Sequence, residues 1–143
     1  MEQQKLLIRA ETDQMTGLYN KATTESKIQA SLRELNGNSY QVLMLVDIDD
    51  FKKINDTMGH AFGDEVLREL GRQIGVNFRV TDIIGRTGGD EFTIFLKNLF
   101  TVTVIEECKL VFASFLCLVK CSISCLIQRF KIRTVCRKYC CTD

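Results

Sequence analysis

Two segments of the chain carry apolar residues at the three- and four-residue spacing of an amphipathic helix. The first covers residues 22–35 and is followed at residues 36–38 by Asn-Gly-Asn, a sequence that commonly ends helices. The second covers residues 62–78, and the acidic residues in its predicted first turn are favoured there by the helix dipole. A polar segment at residues 2–13 has the character of a short third helix. The pattern therefore predicts three helices before residue 79.

Three apolar runs have the composition of strands. Residues 40–48, YQVLMLVDI, form a continuous run without strict alternation, which predicts a strand covered on both faces. Residues 82–87 and 91–96 are shorter runs joined across Gly88 and Gly89, which is a hairpin signal. The order helix, strand, helix, hairpin predicts an α/β or α+β fold with helices on one face of a sheet.

Composition narrows the class of protein. At 143 residues the chain suits one domain with a single modest core, and its 45% apolar and 26% charged residues are ordinary for a globular protein. A net charge of +1 gives no bulk signal for nucleic acid or a membrane surface. The first 13 residues lack an apolar signal segment, so we expect no secretion. Ligand binding is therefore expected to depend on local sites.

Cysteine is confined to the end of the chain. All seven cysteines lie between Cys108 and Cys141, and their odd number argues against a secreted disulfide framework. We therefore expect a reducing, cytoplasmic environment. The same change in composition marks a break near residue 98.

Acidic residues follow the first predicted strand and open the last one. Asp47, Asp49 and Asp50 stand where the first strand ends, and Asp90 and Glu91 follow the paired glycines. If the two strands are neighbours, the two clusters converge, and converging carboxylates repel unless they share protons or bind a cation. Oxygen ligands of this kind suit Mg²⁺ that also coordinates phosphate. The alternative is that each cluster is a solvated turn.

Polar residues between the clusters have the chemistry to recognise a nucleotide. Lys52 offers a positive charge to phosphates, and Asn55 and Asp64 offer acceptors to the N1–H and N2–H₂ groups of guanine. Taken singly, a lysine such as Lys52 is more often a solvated surface residue, and residues such as Asn55 and Asp64 are more often helix caps. His60 is the only histidine, and we interpret it as structural.

Three segments together closely resemble the GGDEF family of diguanylate cyclases. They are DQMTGLYNK, DIDDFKKINDTMGHAFGDEVL and RTGGDEFTIFL, in that order within residues 13–97. The resemblance implies a palm-like sheet related to nucleotidyl cyclases and polymerases. It also implies condensation of two GTP into cyclic di-GMP with release of two pyrophosphates, using two Mg²⁺ or Mn²⁺ ions per GTP site across a homodimer. It is compatible with an upstream sensory domain and implies no contact with nucleic acid or membrane.

The resemblance assigns the catalytic and metal-binding residues by position. Asp47, the backbone carbonyl of Ile48 and Asp90 match the metal ligands. Glu91 matches the acid that assists deprotonation of the attacking 3′-hydroxyl or holds the second metal. Together with Lys52, the two signature acids form the implied catalytic group.

The resemblance also assigns residues to the substrate and the product. Substrate-binding residues by this match are Asn55, Asp64, Asp50, Phe51, Lys52, Gly88 and Gly89. Arg79 and Asp82 match the RxxD site at which dimeric cyclic di-GMP inhibits the enzyme, and Arg86 is placed to assist. The alternative for this tetrapeptide is an ordinary Arg–Asp pair at a turn.

The match divides the chain into a linker helix at residues 1–13 and a GGDEF domain at residues 14–143. Residues 98–143 are atypical and rich in cysteine. Residues 104–116 are candidates for the family's next helix and residues 119–127 for its next core strand. The alternative function is a non-catalytic module that binds GTP or cyclic di-GMP.

The atypical end permits other interpretations. Cys117, Cys121 and Cys125 would share one face of a helix as thiolate ligands, although no CxxC pair or histidine supports zinc. Residues 110–127 are apolar enough to suggest a membrane span, but Lys120 interrupts them, which favours buried core elements. A truncated, recombined or frame-shifted end of the coding region is a further hypothesis.

Overall fold

The computed structural model describes residues 2–34, 40–99 and 132–139. The elements in this part of the chain are α1 (Glu2–Glu11), α2 (Lys21–Arg33), β1 (Tyr40–Ile48), α3 (Phe51–Met58), α4 (His60–Asn77), β2 (Ile83–Arg86), β3 (Glu91–Leu99) and β4 (Ile132–Tyr139). The predicted strand at 40–48 is confirmed with the same bounds, and the predicted helix at 2–13 is confirmed over ten residues.

The four strands form one sheet in the order β2-β3-β1-β4. β3 pairs antiparallel with both β1 and β2, so the predicted hairpin is confirmed and β1 runs parallel to β2 with β3 between them. The connection from β1 to β2 passes through α3 and α4, as in a split βαβ unit. This topology brings the last residues of β1 and the first residues of β3 to the same end of the sheet.

The hydrophobic core lies between one face of this sheet and the helices α3 and α4. Alternate residues of each strand point to this face, as the two-residue period of a strand requires. Its buried apolar side chains are Val42, Met44, Val46 and Ile48 of β1, Ile84 of β2, Phe92, Ile94 and Leu96 of β3, Ile54 of α3, and Val66, Leu67, Leu70 and Ile74 of α4.

Helix α2 lies on the opposite face of the sheet, mainly against β2. Its Thr24 is fully buried beside Gly85, where an added Cβ would stand 2.9 Å from the Cβ of Thr24. Cover over β1 is incomplete, since Leu45 is 43% exposed. The prediction that the helices share one face is therefore wrong, and the second face of β1 is covered at Gln41 but not at Leu45. A continuous apolar run places side chains on both faces of a sheet, and the 13-residue α2 covers only part of the second one.

The segment before α2 adds a short parallel bridge to the outer edge of β2. The backbone N–H of Tyr19 donates to the carbonyl of Ile84 at 3.1 Å, and the N–H of Arg86 donates to the carbonyl of Tyr19 at 2.9 Å. Asn20 then caps α2, since its side-chain oxygen accepts a hydrogen bond from the N–H of Thr23 at 3.0 Å. The N-terminal segment is thus tied to the hairpin through the backbone.

The region between β1 and β2 contains two helices where the sequence pattern predicted one. They meet at Gly59, whose φ of +87° is a left-handed value that suits glycine. Because α4 begins at His60, the acidic residues Asp64 and Glu65 lie beyond its first turn, which corrects the predicted dipole contact. Asn55 and Asp64 lie inside their helices, so their interpretation as helix caps is also wrong.

Strand β4 comes from the end of the chain. It pairs antiparallel with β1, and the register places the Cα of Arg133 opposite that of Asp47. The predicted helix at 104–116, the predicted strand at 119–127, the three spaced cysteines and the membrane interpretation lie outside the described residues. Within the described part of the chain, no helix is long and apolar enough to cross a membrane.

Candidate active site

The two acidic clusters meet where β1 ends and β3 begins. In the antiparallel register Asp47 is the direct partner of Glu91, and Asp90 precedes it in the turn. Cross-strand partners point to the same face with Cβ atoms about 5 Å apart, so the carboxylates of Asp47 and Glu91 share one side of the sheet. The predicted adjacency of the strands is confirmed, and the direct partner of Asp47 is Glu91 rather than Asp90.

Each glycine of the signature turn has its own role. A Cβ added at Gly88 would stand 2.5 Å from Oε2 and 3.0 Å from Cβ of Glu91, so this glycine makes room for the Glu91 side chain to fold over the turn. A Cβ added at Gly89 meets nothing within 4 Å in the described part of the chain. Space for a ligand therefore exists at Gly89, whereas the space at Gly88 is occupied by Glu91.

Arg86 connects the signature turn to the N-terminal segment. Its Nη2 and Nε donate to the carbonyl of Gly89 at 2.6 and 3.2 Å, while its Nη1 lies 3.3 Å from Oδ1 of Asp13. The side chain is only 13% exposed, so the ion pair is partly shielded from water. The sequence did not predict this contact, because Arg86 and Asp13 are 73 positions apart and no single motif contains both.

The acid in this pair is held in its ionised form. Burial by itself raises the pKa of Asp13, but hydrogen bonds from the Thr16 hydroxyl and backbone N–H, together with the nearby Arg86 guanidinium, outweigh it and lower the pKa below its usual value. The two Thr16 contacts to Oδ1 measure 2.8 and 2.9 Å. The segment before α2 therefore presents a fixed negative charge to Arg86.

The donors at this edge of the sheet suit a hard divalent cation. The carboxylates of Asp47, Asp90 and Glu91 and the carbonyl of Ile48 are oxygen donors of the kind that Mg²⁺ prefers, and β1–β3 pairing brings two of them side by side. Within residues 2–34, 40–99 and 132–139, no three His, Cys, Asp or Glu side chains form a cluster close enough to hold a metal ion. The types of donor atom fit the implied metal, although the described side chains do not form a three-ligand cluster.

The residues predicted to read guanine lie on adjacent helices. Asn55 is on α3 and Asp64 is on α4, and the bend at Gly59 folds the two helices against each other. The Asp64 side chain is 43% exposed, with its Oδ2 3.8 Å from Nη2 of Arg68. Since exposed ion pairs of this length are weak, the Asp64 carboxylate stays accessible to a ligand.

The residues predicted to meet the triphosphate form the beginning of α3. Asp50, with a left-handed φ of +59°, turns the chain from β1 into the helix. Phe51 is half-buried against the core, and Lys52 is exposed in the first helical turn. Free backbone N–H groups at a helix N-terminus favour anions, and Lys52 adds a positive charge beside them.

The RxxD tetrapeptide forms the turn before β2. Asp82 is 9% exposed, and its carboxylate accepts hydrogen bonds from the backbone N–H groups of Arg79 at 3.0 Å and Lys97 at 3.3 Å. Val80 is fully exposed at the tip. Asp82 therefore contacts the backbone of Arg79, and within the described residues the two side chains do not form the ion pair that the alternative interpretation expected.

Comparison with known proteins gives a consistent result. The sequence profile of the family described as "Diguanylate cyclase, GGDEF domain" matches residues 10–113. The chain is 39% identical over 95 residues to a probable diguanylate cyclase of Escherichia coli, DgcC, which covers 66% of this chain and 26% of DgcC. It is 44% identical over 91 residues to the response regulator PleD of Caulobacter vibrioides, which covers 62% of this chain and 20% of PleD.

The fold comparison agrees with the sequence comparison. The crystal structure of the GGDEF domain of DgcB from Caulobacter crescentus, in complex with c-di-GMP, superposes with a TM-score of 0.73 at 25% identity, covering 91% of this chain and 78% of that one. The predicted α/β palm-like fold is thus confirmed. The chain spans about a quarter of DgcC and a fifth of PleD. Since the family profile covers well over half of its residues, the chain belongs to the GGDEF family of diguanylate cyclase domains.

Proposed function

We propose that this domain condenses two molecules of GTP into cyclic di-GMP and releases two pyrophosphates. The observation that supports it most directly is the register that places Asp47 beside Glu91, next to the open space at Gly89. A receptor that only binds a nucleotide has no need for carboxylates grouped in this way, whereas phosphoryl transfer depends on such groups to hold metal ions.

The carboxylates divide between metal binding and proton transfer. Asp47, the Ile48 carbonyl and Asp90 would hold Mg²⁺ or Mn²⁺, two ions per GTP site, which neutralise charge on the reacting phosphate when bound. Glu91 is exposed on the same side of the sheet as Asp47. It is therefore placed to accept the proton of the attacking 3′-hydroxyl or to help hold the second ion.

The neighbouring helices would bind the nucleotide. Lys52 and the backbone at Asp50 and Phe51 meet the triphosphate, while the side chains of Asn55 and Asp64 accept hydrogen bonds from guanine. Each domain binds one GTP in this arrangement, so the reaction needs a second copy of the chain. A homodimer that aligns the two nucleotides supplies much of the catalysis by positioning.

The turn before β2 would bind the product as an inhibitor. Arg79 is exposed there and offers a planar guanidinium to the phosphates and guanine of dimeric cyclic di-GMP. Asp82 holds the turn through its hydrogen bond with the backbone N–H of Arg79. The small exposed part of its carboxylate would accept a hydrogen bond from the bound product. An assisting role for Arg86 stays a prediction, since its guanidinium contacts Asp13 and Gly89.

One assay tests the proposal. The purified chain is incubated with GTP and Mg²⁺, and cyclic di-GMP is followed by chromatography, with Asp90→Ala and Glu91→Ala as matched controls. We expect product from the unaltered chain and none above background from the controls. GTP binding without product would refute cyclase activity for this chain and would favour the alternative of a non-catalytic nucleotide-binding module.

A further inference from the structure

Gly63 lies directly under the side chain of Asn55. It is a buried glycine in the first turn of α4, facing α3. A Cβ added at this position would collide with Oδ1 of Asn55 and would stand 3.0 Å from its Cγ and 3.2 Å from Cζ of Phe51. The amide of Asn55 therefore occupies the volume that any other residue at position 63 would fill.

The backbone on both sides of this contact is fixed. The N–H of Gly59 donates to the carbonyl of Asn55 at 2.9 Å, and the N–H of Gly63 donates to the carbonyl of Gly59 at 3.2 Å. The Asn55 side chain is half-buried, and the atoms that an added Cβ would meet lie at its flexible end. An added methyl group at position 63 would therefore be accommodated mainly by moving the Asn55 amide.

We infer that Gly63 is a positioning residue that sets guanine specificity by seating the Asn55 amide against α4, next to Asp64. The inference rests on the proposed function, in which Asn55 and Asp64 accept hydrogen bonds from guanine. Gly63 itself does not touch the base. Its lack of a side chain allows an amide on α3 and a carboxylate on α4 to converge on one planar ligand.

The test is a double-mutant cycle on nucleotide preference. Affinities for 3′-deoxy-GTP and 3′-deoxy-ITP, which lack the attacking hydroxyl and so are not cyclised, are measured with Mg²⁺ on the full chain. The variants are Gly63→Ala, Asn55→Ala and the double variant. Inosine lacks the 2-amino group of guanine, so the ratio of the two affinities reports how well that group is recognised.

We expect Gly63→Ala to lower the preference for the guanine nucleotide about three- to tenfold, the worth of one ordinary hydrogen bond. Asn55→Ala should lower it as much, and the double variant should be no worse than Asn55→Ala alone, because Gly63 acts through that side chain. Fold changes that multiply in the double variant would overturn the inference, as would a full preference in Gly63→Ala.

Gly75→Ala is the matched control on the same helix. A Cβ there would stand 3.7 Å from Cδ2 of Leu18, which is an ordinary contact, so nucleotide preference should not change. Thermal unfolding adds a readout that does not need nucleotide. Gly63→Ala should lower Tm more in the unaltered chain than in the Asn55→Ala background, where the amide is absent and only the 3.2 Å contact with Cζ of Phe51 remains. An equal loss of Tm in both backgrounds would contradict the inference.

Failure of the proposed function would look different. If the unaltered chain binds 3′-deoxy-GTP no better than 3′-deoxy-ITP, guanine reading by this chain is refuted and the inference falls with it. If the unaltered chain prefers guanine and Asn55→Ala loses that preference while Gly63→Ala keeps it, only the role of Gly63 is refuted.

Discussion

The turns on either side of β2 contain similar residues and use them differently. Both place an aspartate next to a strand, but Asp82 is 9% exposed and accepts hydrogen bonds from two backbone amides. The signature turn leaves Glu91 exposed and Asp90 half-buried, and within the described residues neither carboxylate forms a hydrogen bond or ion pair. A carboxylate that accepts hydrogen bonds from nearby backbone N–H groups stabilises the fold. A carboxylate without such bonds is available to a ligand.

The largest effect expected from this difference is catalytic. Glu91→Gln should lower the rate of cyclic di-GMP formation by about 10²–10⁴-fold, the usual contribution of a general base, because the amide cannot accept the proton. Tm should change little, since the side chain is exposed. Initial rates by chromatography and a thermal melt measure the two effects. A substantial fall in Tm would show that Glu91 is structural and would remove the contrast with Asp82.

The second effect is on stability and falls on the other turn. Asp82→Ala should lower the free energy of unfolding by about 1–3 kcal/mol, because the backbone N–H groups of Arg79 and Lys97 lose their acceptor. Asp90→Ala is the matched control and should leave it nearly unchanged. Denaturant titration of both variants decides the matter; equal losses would show that the two turns do not differ as described.

A third test separates product binding from fold at the turn before β2. Arg79→Ala should weaken inhibition by cyclic di-GMP about tenfold, the worth of one charge-assisted hydrogen bond, without lowering the initial rate. Inhibition curves measured at several GTP concentrations give both quantities. A large loss of initial rate would count against an inhibitory role, because it would place Arg79 in the catalytic machinery or the core.

The smallest effect concerns pH and the contact that holds the signature turn. Since the pKa of Asp13 is lowered in the folded chain, the stability it contributes is present above its ordinary value of 3.8 and is lost as the pH falls further, through the folded pKa. Asp13→Asn should therefore cost up to about 1 kcal/mol at pH 7 and less at pH 3. Melts at both pH values check this. A difference that does not change with pH would show that Arg86 is held by other contacts.

Patterns of apolar and polar residues predicted a helix or strand wherever the element was long enough for its periodicity to be recognised. The bounds of β1 and the hairpin across Gly88 and Gly89 followed from apolar runs and turn chemistry. Helix α3 was missed because eight residues show little more than two turns of periodicity. β4 was missed because its sequence, IRTVCRKY, mixes basic and apolar residues without the regular alternation that indicates a strand.

The candidate site was predictable to the extent that its residues are close in sequence to a strand end. Asp47 and Glu91 meet because each borders a strand and the strands are neighbours, which the hairpin and the βαβ order together imply. The contact of Arg86 with Asp13 and the fit of Gly63 under Asn55 depend on how distant segments pack. No spacing rule within one sequence reports such contacts.

The parallel bridge at Tyr19 has a consequence for association between molecules. β2 is an edge strand, and unpaired backbone groups on an edge invite another strand to add to the sheet. Tyr19 occupies the carbonyl of Ile84 and the N–H of Arg86, the groups that such a strand would need first. The segment that joins α1 to α2 therefore protects the hairpin carrying the signature acids from edge-to-edge aggregation, and trimming the chain past Asn20 would remove that protection.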